Sequence, residues 1–304
     1  MKIWSHCYPC LRLFGFGLTM ILFSWPASFL RAGESLFTRA YTTDTVPEGH
    51  FELEQAVRDR FERSFGDYRA FDFISEFEYG ITSDLQMALY LRSGYIDAHD
   101  APDDDDPHGV TGFSRNRGFL QSLSTEFIYR LLSPVKNPIG VAFYIEPEFA
   151  FNDLHNGLHY DKTMGMEYRV ILQKNFLNDT LVAVYNVVAE TEFIRFRGES
   201  SWAGELDYNN ELGLTYRWFS NFYGGLEARN HNEFGDFNHW EHSVVWVGPV
   251  IHYGGERFWA TLGALRQVYG TPNGTSGEGT YLGDNLFERS HEGWEVTFKV
   301  GFPF

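Results

Sequence analysis

Apolar and polar side chains alternate along most of this chain with a period of two residues. Between residues 69 and 79, Phe71, Phe73 and Phe77 share one face, whereas Glu76 and Glu78 share the opposite face. Strand geometry separates such sets, while helical spacing would mix them. The alternation recurs in residues 50–63, 85–93, 119–131, 141–151, 164–173, 181–193, 206–218, 222–229, 243–253, 258–264 and 294–304, although the facing of 50–63 and 243–253 stays open. The pattern predicts an all-β protein of about twelve strands.

The links between these predicted strands alternate between short and long. Even-numbered links cover only residues 80–84, 133–140, 176–180, 219–222 and 254–257, while most odd-numbered links are longer: 96–118, 152–160, 196–205, 231–241 and 269–291. Short turns at one end and long loops at the other are typical of outer-membrane barrels, which also have even strand numbers. The sequence therefore predicts a transmembrane antiparallel up-and-down β-barrel over residues 50–304, with its short turns in the periplasm.

The first 32 residues have a different composition. Lys2 and Arg12 precede an apolar run over residues 13–25, and small residues follow around Ala32. This arrangement predicts a secretory signal peptide over residues 1–32, cleaved near Ala32, and then a periplasmic segment over residues 33–49. The alternative is one anchor helix, which needs about 20 apolar residues. Cys7 and Cys10 both lie in the predicted signal, so cysteine chemistry is not expected in the mature chain.

Charge and aromatic content agree with a membrane barrel. The 24 Lys and Arg fall to 21 when the signal's three are removed, against 41 acidic residues, which gives a mature net charge of −20. This balance argues against a nucleic-acid partner. Aromatic residues make up 18% of the chain, and several flank the predicted short turns, where rings form an interfacial girdle: Trp218, Phe219, Phe222, Tyr223, Phe258 and Trp259. Outer-membrane lipid is thus an expected partner.

The polar faces of the predicted strands should line the barrel lumen, because a Lys or Arg on the lipid side costs about 2–4 kcal/mol at mid-membrane. The predicted lumen-lining residues are Glu76, Glu78, Glu126, Arg130, Glu146, Glu148, Glu167, Arg169, Glu190, Glu192, Glu211, Arg217, Glu227, Arg229, Glu295 and Lys299. Acidic side chains outnumber basic ones. Two interpretations stand: a narrow cation-preferring channel for ions or small solutes, or a plugged structural barrel whose extracellular loops bind metal ions or a surface partner.

Two predicted outer loops carry candidate metal ligands. His239 and His242, with Asp236, lie in the segment 231–242, where imidazole and carboxylate groups suit zinc or copper. Residues 99–108 carry five aspartates that would suit divalent cations. Chance clustering and a solvated loop are the alternatives. No cofactor is expected, and no enzymatic activity, because the sequence has no His–x–Ser pair of the type found in outer-membrane hydrolases.

The chain also resembles an uncharacterised family of Gram-negative outer-membrane β-barrel proteins, a domain of unknown function. The resemblance rests on TVPEGHFELEQ at 45–55, EYG at 78–80, NPIG at 137–140, ILQKNF at 171–176, GLEARNH at 225–231 and GPVIHYGG at 248–255. It implies a barrel and an outer-membrane location, and it supplies no substrate or site residues. The last strand, which ends on Phe304, resembles the signal that barrel-assembly machinery recognises, so that machinery is an expected partner.

Overall fold

The structure is a computed structural model that describes residues 33–102, 112–196, 198, 200–272 and 291–304. Over these residues the chain forms twelve strands: β1 Phe51–Phe61, β2 Asp67–Thr82, β3 Leu85–Pro102, β4 Gly112–Leu132, β5 Gly140–Ala150, β6 Tyr160–Phe176, β7 Leu181–Phe196, β8 Ala203–Phe219, β9 Phe222–Gly235, β10 His239–Gly254, β11 Trp259–Pro272 and β12 Trp294–Pro303. In the same residues no helix is long and apolar enough to cross a membrane. The predicted signal peptide and most of the acidic loop, residues 103–108, lie outside the described residues.

The strands close into one antiparallel barrel, as the alternation predicted. Each strand pairs with its neighbours in sequence, and β1 pairs with β12. The closure begins at the chain end, where the Phe51 N–H donates to the Phe304 carbonyl at 3.0 Å and the Phe304 N–H donates to the Phe51 carbonyl at 2.9 Å. Closure leaves no strand edge exposed, which satisfies the backbone hydrogen bonds that lipid cannot satisfy.

The outer surface is apolar and the inner surface is polar. Leu89, Leu212 and Leu226 on the outside are 51%, 53% and 58% exposed, whereas the inward Glu126 is fully buried. At the end with the short turns, the exposed rings of Trp218, Phe219, Phe222, Phe258 and Phe304 form an aromatic belt. The outer surface is therefore the side that suits lipid.

Two of the six predicted girdle residues are not in this belt. Trp259 is 1% exposed, and its indole Nε1 donates to the Glu52 carboxylate at 2.6 Å inside the barrel. Tyr223 packs against His252, with ring centroids 5.7 Å apart. Each follows an outward-facing aromatic residue along its strand, and successive side chains in a strand point to opposite faces. The prediction was wrong for these two rings because it ignored that alternation at the turn.

The strands extend further at the long-loop end than predicted. β9 continues to Gly235 and β10 begins at His239, so only residues 236–238 separate them, with positive φ at Asp236 and Phe237. The predicted long loop over 231–241 is therefore wrong. Alternation on β9 continues from Glu227 to His231, which places the imidazole inside the barrel.

Candidate functional site

Residues 34–46, here called the luminal segment, lie inside the barrel at the short-turn end. The Glu34 carboxylate is 3.1 Å from His252 Nε2 on β10, and the Thr45 hydroxyl donates to the Ser83 carbonyl in the β2–β3 turn at 3.2 Å. The segment therefore reaches from one wall of the mouth to another. The sequence had suggested a periplasmic segment over residues 33–49, and the structure places its central part within the barrel.

One carboxylate holds the middle of the luminal segment. Glu227, 1% exposed on β9, accepts hydrogen bonds from the backbone N–H groups of Thr38, Arg39 and Ala40 at 3.0, 2.6 and 2.7 Å and from the Thr38 hydroxyl at 2.6 Å. Three successive N–H groups that converge on one anion form a backbone nest. The negative charge of Glu227 is thus satisfied by the segment rather than by a cation of the wall.

Other inward side chains bind the remaining N–H groups. Backbone donors reach amide oxygens on three strands: Tyr41 to Asn186 at 2.6 Å, Thr43 to Gln173 at 2.7 Å and Val46 to Gln86 at 2.8 Å. A segment inside a closed barrel cannot pair with strand backbones that are already paired, so side chains must satisfy it. These bonds seat the segment at defined positions around the wall.

Glycines in the wall leave room for this seating. Phe37 is fully buried, and a Cβ at Gly213 on β8 would overlap its ring. A Cβ at Gly80 on β2 would overlap the Pro47 carbonyl in the same way. Side-chain-free positions in a strand often mark close approach of another backbone. The barrel wall therefore has glycine at positions where a side chain would collide with the residues that enter the lumen.

Residues 151–159 and 291–293, here called the cap, partly cover the opposite end of the lumen. Arg60 on β1 bonds both oxygens of Asp72 at 3.0 Å, the Leu154 carbonyl at 2.7 Å and the Glu292 carboxylate. Burial opposes ionisation of Glu292, but the guanidinium groups of Arg60 and Arg63 hold the pKa of Glu292 well below its usual value. The cap is thus tied to the wall by buried charge pairs.

Between the luminal segment and the cap lies a chamber of about 420 Å³. Fifteen carboxylate residues and seven Arg or Lys residues line it. Ten of the predicted lumen residues are among them: Glu76, Glu146, Glu148, Glu167, Arg169, Glu190, Glu192, Arg229, Glu295 and Lys299. The other six do not line it: Glu78, Glu126, Arg130, Glu211, Arg217 and Glu227. Of these, Glu211 pairs with Arg169 at 2.8 Å, and Arg130 bonds Asp84 in a turn.

Several carboxylates of the chamber are paired with its basic side chains. Arg39 from the luminal segment and Arg229 on β9 both pair with Glu295, at 2.6 and 3.3 Å. On the β4–β5 side, Arg92 pairs with Glu146 at 2.6 Å and with Glu148 at 2.5 Å. These pairs neutralise the carboxylates that they contact.

The β7–β8 side differs, and Glu190, Glu192, Glu205 and Asp207 are here called the acidic wall. Glu190 lies directly opposite Asp207 and Glu192 directly opposite Glu205 in the strand register. Within the part of the chain that the structure describes, none of the four has an Arg or Lys within ion-pair distance. Like charges at directly opposed positions destabilise a sheet. The acidic wall therefore places four carboxyl groups close together on one side of the chamber.

A second group lies where the chamber meets the cap. His231, Glu233, His242 and His291, here called the histidine cluster, each present one ligand atom within 4.8 Å of all the others. Two of these atoms, His242 Nε2 and His291 Nε2, are 2.5 Å apart. Burial, followed by the neighbouring imidazoles, lowers the pKa of His291 well below its usual value. The cluster thus combines three imidazoles and one carboxylate.

Only part of the predicted metal set is in this cluster. His242 belongs to it, while Asp236 in the β9–β10 turn and His239 at the start of β10 are both exposed and lie outside it. The alternation that runs from Glu227 through Arg229 would have found His231 and Glu233. Neither the alternation nor a motif in the sequence indicates that His291 belongs to the histidine cluster. It lies at the end of the long link over residues 269–291, and the tertiary fold places it beside His242.

A closed barrel with an apolar exterior and a charged interior defines the class: the fold is that of the outer-membrane β-barrel proteins. The chain belongs to DUF6662, a family of unknown function whose model matches residues 30–304. No curated protein matches it.

Three solved structures resemble this chain, and the first of them supports the fold. The COG4313 outer membrane channel from Pseudomonas putida F1 is 9% identical, with a TM-score of 0.53 over 86% of this chain and 98% of that one. The porin NanC is 11% identical, with a TM-score of 0.46 over 83% and 98%. LpxR from Salmonella typhimurium is 10% identical, with a TM-score of 0.44 over 83% and 99%. At these identities the likeness concerns the fold alone.

Proposed function

We propose that this protein is an outer-membrane conduit for small cations or cationic solutes, and that the described state is its closed state. The main observation behind this proposal is the chamber of about 420 Å³, which is lined by fifteen carboxylate residues and only seven Arg or Lys residues. Rings of acidic side chains favour cations in a pore. The acidic wall supports this preference most, because none of its four carboxylates has an Arg or Lys within ion-pair distance among the described residues.

The luminal segment closes the short-turn end of this conduit. It is held by hydrogen bonds to side chains and by packing against glycines of the wall, as at Glu227 and Gly213. Each such contact is worth about 0.5–3 kcal/mol, so together they keep the segment in place most of the time, and openings of the full chain should be rare. Movement of the segment out of the mouth would connect the chamber with the compartment at that end.

The geometry of one His–Ser pair argues against a hydrolase site in the barrel wall. His242 and Ser243, the adjacent His and Ser, sit on opposite faces of β10: His242 is buried inside, and Ser243 accepts a hydrogen bond from the outward Asn230. This pair therefore does not form a nucleophile with its base.

Planar-bilayer recording tests the proposal. We expect the full chain to show rare openings and a variant without residues 34–46 to show frequent conductance steps. A variant in which residues 34–46 are replaced by a Gly/Ser sequence of equal length controls for the length of the N-terminus, and it should conduct like the deletion. If the deletion variant folds, inserts and passes no current, the barrel is a plugged structural one and the proposal fails.

A further inference from the structure

The strands that carry the histidine cluster fix the relative positions of three of its members. His231 and Glu233 are two residues apart on β9 and therefore point to the same, inward face. Glu233 lies directly opposite His242 on β10 in the strand register. His291 enters from the cap, with its ring centroid 4.7 Å from that of His242 and 4.9 Å from that of His231. Two rigid strands thus carry three of the four ligand atoms.

The spacing of these atoms suits a tetrahedral ion. With metal–nitrogen bonds of about 2.0–2.1 Å, the ligand atoms of a tetrahedral zinc site are about 3.3 Å apart. The Glu233 carboxylate is 3.4 Å from His242 Nε2 and 3.7 Å from His231 Nε2. His242 Nε2 and His291 Nε2, 2.5 Å apart, would separate by less than an ångström to admit an ion between them.

A second observation points independently to a ligand at this position. His231 is 3% exposed, and its Nε2, which is directed toward Glu233, has no hydrogen-bond partner among the described residues. The other nitrogen, Nδ1, lies 2.8 Å from the Asn209 side-chain oxygen, to which it can only donate. This bond is shorter than the 3.5 Å contact between Nδ1 and the Arg229 guanidinium, so it favours the tautomer in which Nε2 carries a lone pair, as outer partners do for metal-bound histidines.

The surrounding charges favour a cation. The Asp207 carboxylate is 4.0 Å from His231 Nε2, and within the part of the chain that the structure describes its buried Oδ1 also has no hydrogen-bond partner. Arg229 is the nearest positive charge, 3.5 Å from His231 Nδ1, but it is paired with Glu295 at 3.3 Å. His231, Glu233 and His291 line the chamber, so an ion in the chamber can reach the cluster.

We propose that His231, Glu233, His242 and His291 form a binding site for zinc or another first-row divalent ion that prefers imidazole ligands. Three imidazoles and one carboxylate suit zinc, nickel or copper, whereas calcium and magnesium prefer an all-oxygen set. This proposed metal site does not depend on the proposed conduit function, because ion binding can be measured whether or not the barrel passes current.

The experiment is calorimetric titration of the purified, folded full chain with zinc chloride. We expect binding in the micromolar range or tighter, and a loss of roughly 100-fold or more in His231→Ala/His242→Ala, since loss of an outer partner alone costs about 10–100-fold. His239→Ala is the matched control, because that histidine lies exposed in the same hairpin, and it should bind like the wild type. Cobalt in place of zinc should give the strong visible absorption of a tetrahedral site.

Two results overturn the proposal: a wild type that binds no zinc, or a double variant that binds it as tightly as the wild type does. If the alanine variant does not fold, Glu233→Gln keeps the size of the side chain and removes its charge. This variant should weaken zinc binding and abolish the tetrahedral cobalt spectrum, and unchanged binding would contradict the site equally well. A calcium titration in parallel should show no dependence on these histidines.

Discussion

Replacement of Glu227 by alanine should release the luminal segment from the barrel wall. The substitution removes the single acceptor for three successive backbone N–H groups and one hydroxyl, all 2.6–3.0 Å from its oxygens. Those donors would then be buried without partners. The segment should therefore leave its seat far more often than in the wild type.

The magnitude follows from the number and kind of these bonds. A hydrogen bond to a charged group contributes about 1.5–3 kcal/mol, so four would give about 6–12 kcal/mol if they were additive. They share one carboxylate and are not independent, so we take about half, or about 3–6 kcal/mol. Since 1.4 kcal/mol corresponds to about a tenfold change in an equilibrium constant, opening should become about 10²–10⁴ times more frequent.

Hydrogen–deuterium exchange read by mass spectrometry measures this opening directly in a peptide that covers residues 34–46. Glu190→Gln is the matched control, because Glu190 is an inward carboxylate with no hydrogen bond or ion pair to the segment among the described residues, so the substitution should leave the segment's exchange unchanged. Glu227→Gln, which keeps one acceptor oxygen, should fall between the wild type and Glu227→Ala. If the Glu227→Ala barrel is folded and its segment still exchanges as slowly as the wild type's, the nest does not hold the segment.

Three further predictions concern the wall, the histidine cluster and the cap. Gly213→Val should displace the buried phenylalanine ring of the luminal segment and accelerate the segment's hydrogen–deuterium exchange. Gly165→Ala is the control, because its new Cβ would lie at an ordinary 3.6 Å from its nearest neighbour, and it should not accelerate exchange. Equal exchange in the two variants would argue against close packing at Gly213. Asn209→Ala should weaken zinc binding about 10–100-fold in calorimetry through loss of the tautomer-fixing bond, and an unchanged affinity would remove that role. Arg60→Ala removes the nearest cation of two buried carboxylates, which keep only guanidinium groups at 3.6–3.8 Å, and should lower the free energy of unfolding in urea by about 3–5 kcal/mol. Arg69→Ala, which breaks an exposed pair, should lower it by about 0–1 kcal/mol; similar losses would mean that the cap is not anchored by buried charge.

The barrel was predictable from the sequence because its determinants are local. Side-chain direction in a strand follows from position alone, so the alternation that places Glu76 inside and Phe77 outside can be read from neighbouring residues. The alternation of short and long links between the strands can also be read from the sequence. The same rule also locates His231 and Glu233, once the alternation is followed past Arg229.

The contents of the barrel were not predictable in this way. The luminal segment has no strand or helix period, and its anchoring bond joins Thr38 to Glu227, 189 positions away. Its donors are backbone N–H groups, which every residue except proline carries, so the sequence offers no signal for them. His291 joins the histidine cluster through the fold of the cap. Both features depend on which distant side chains the closed barrel brings together.

The central claim is that an acidic chamber forms a cation path that the luminal segment closes. The most direct measurement is the reversal potential of the variant without residues 34–46 in a planar bilayer under a KCl gradient. The claim predicts steady current with a reversal potential shifted toward that of K⁺, and a smaller shift when Glu190 and Glu192 are both changed to Gln. A reversal potential at zero or shifted toward that of Cl⁻ would contradict the cation preference, and a folded, inserted variant without current would contradict the path itself.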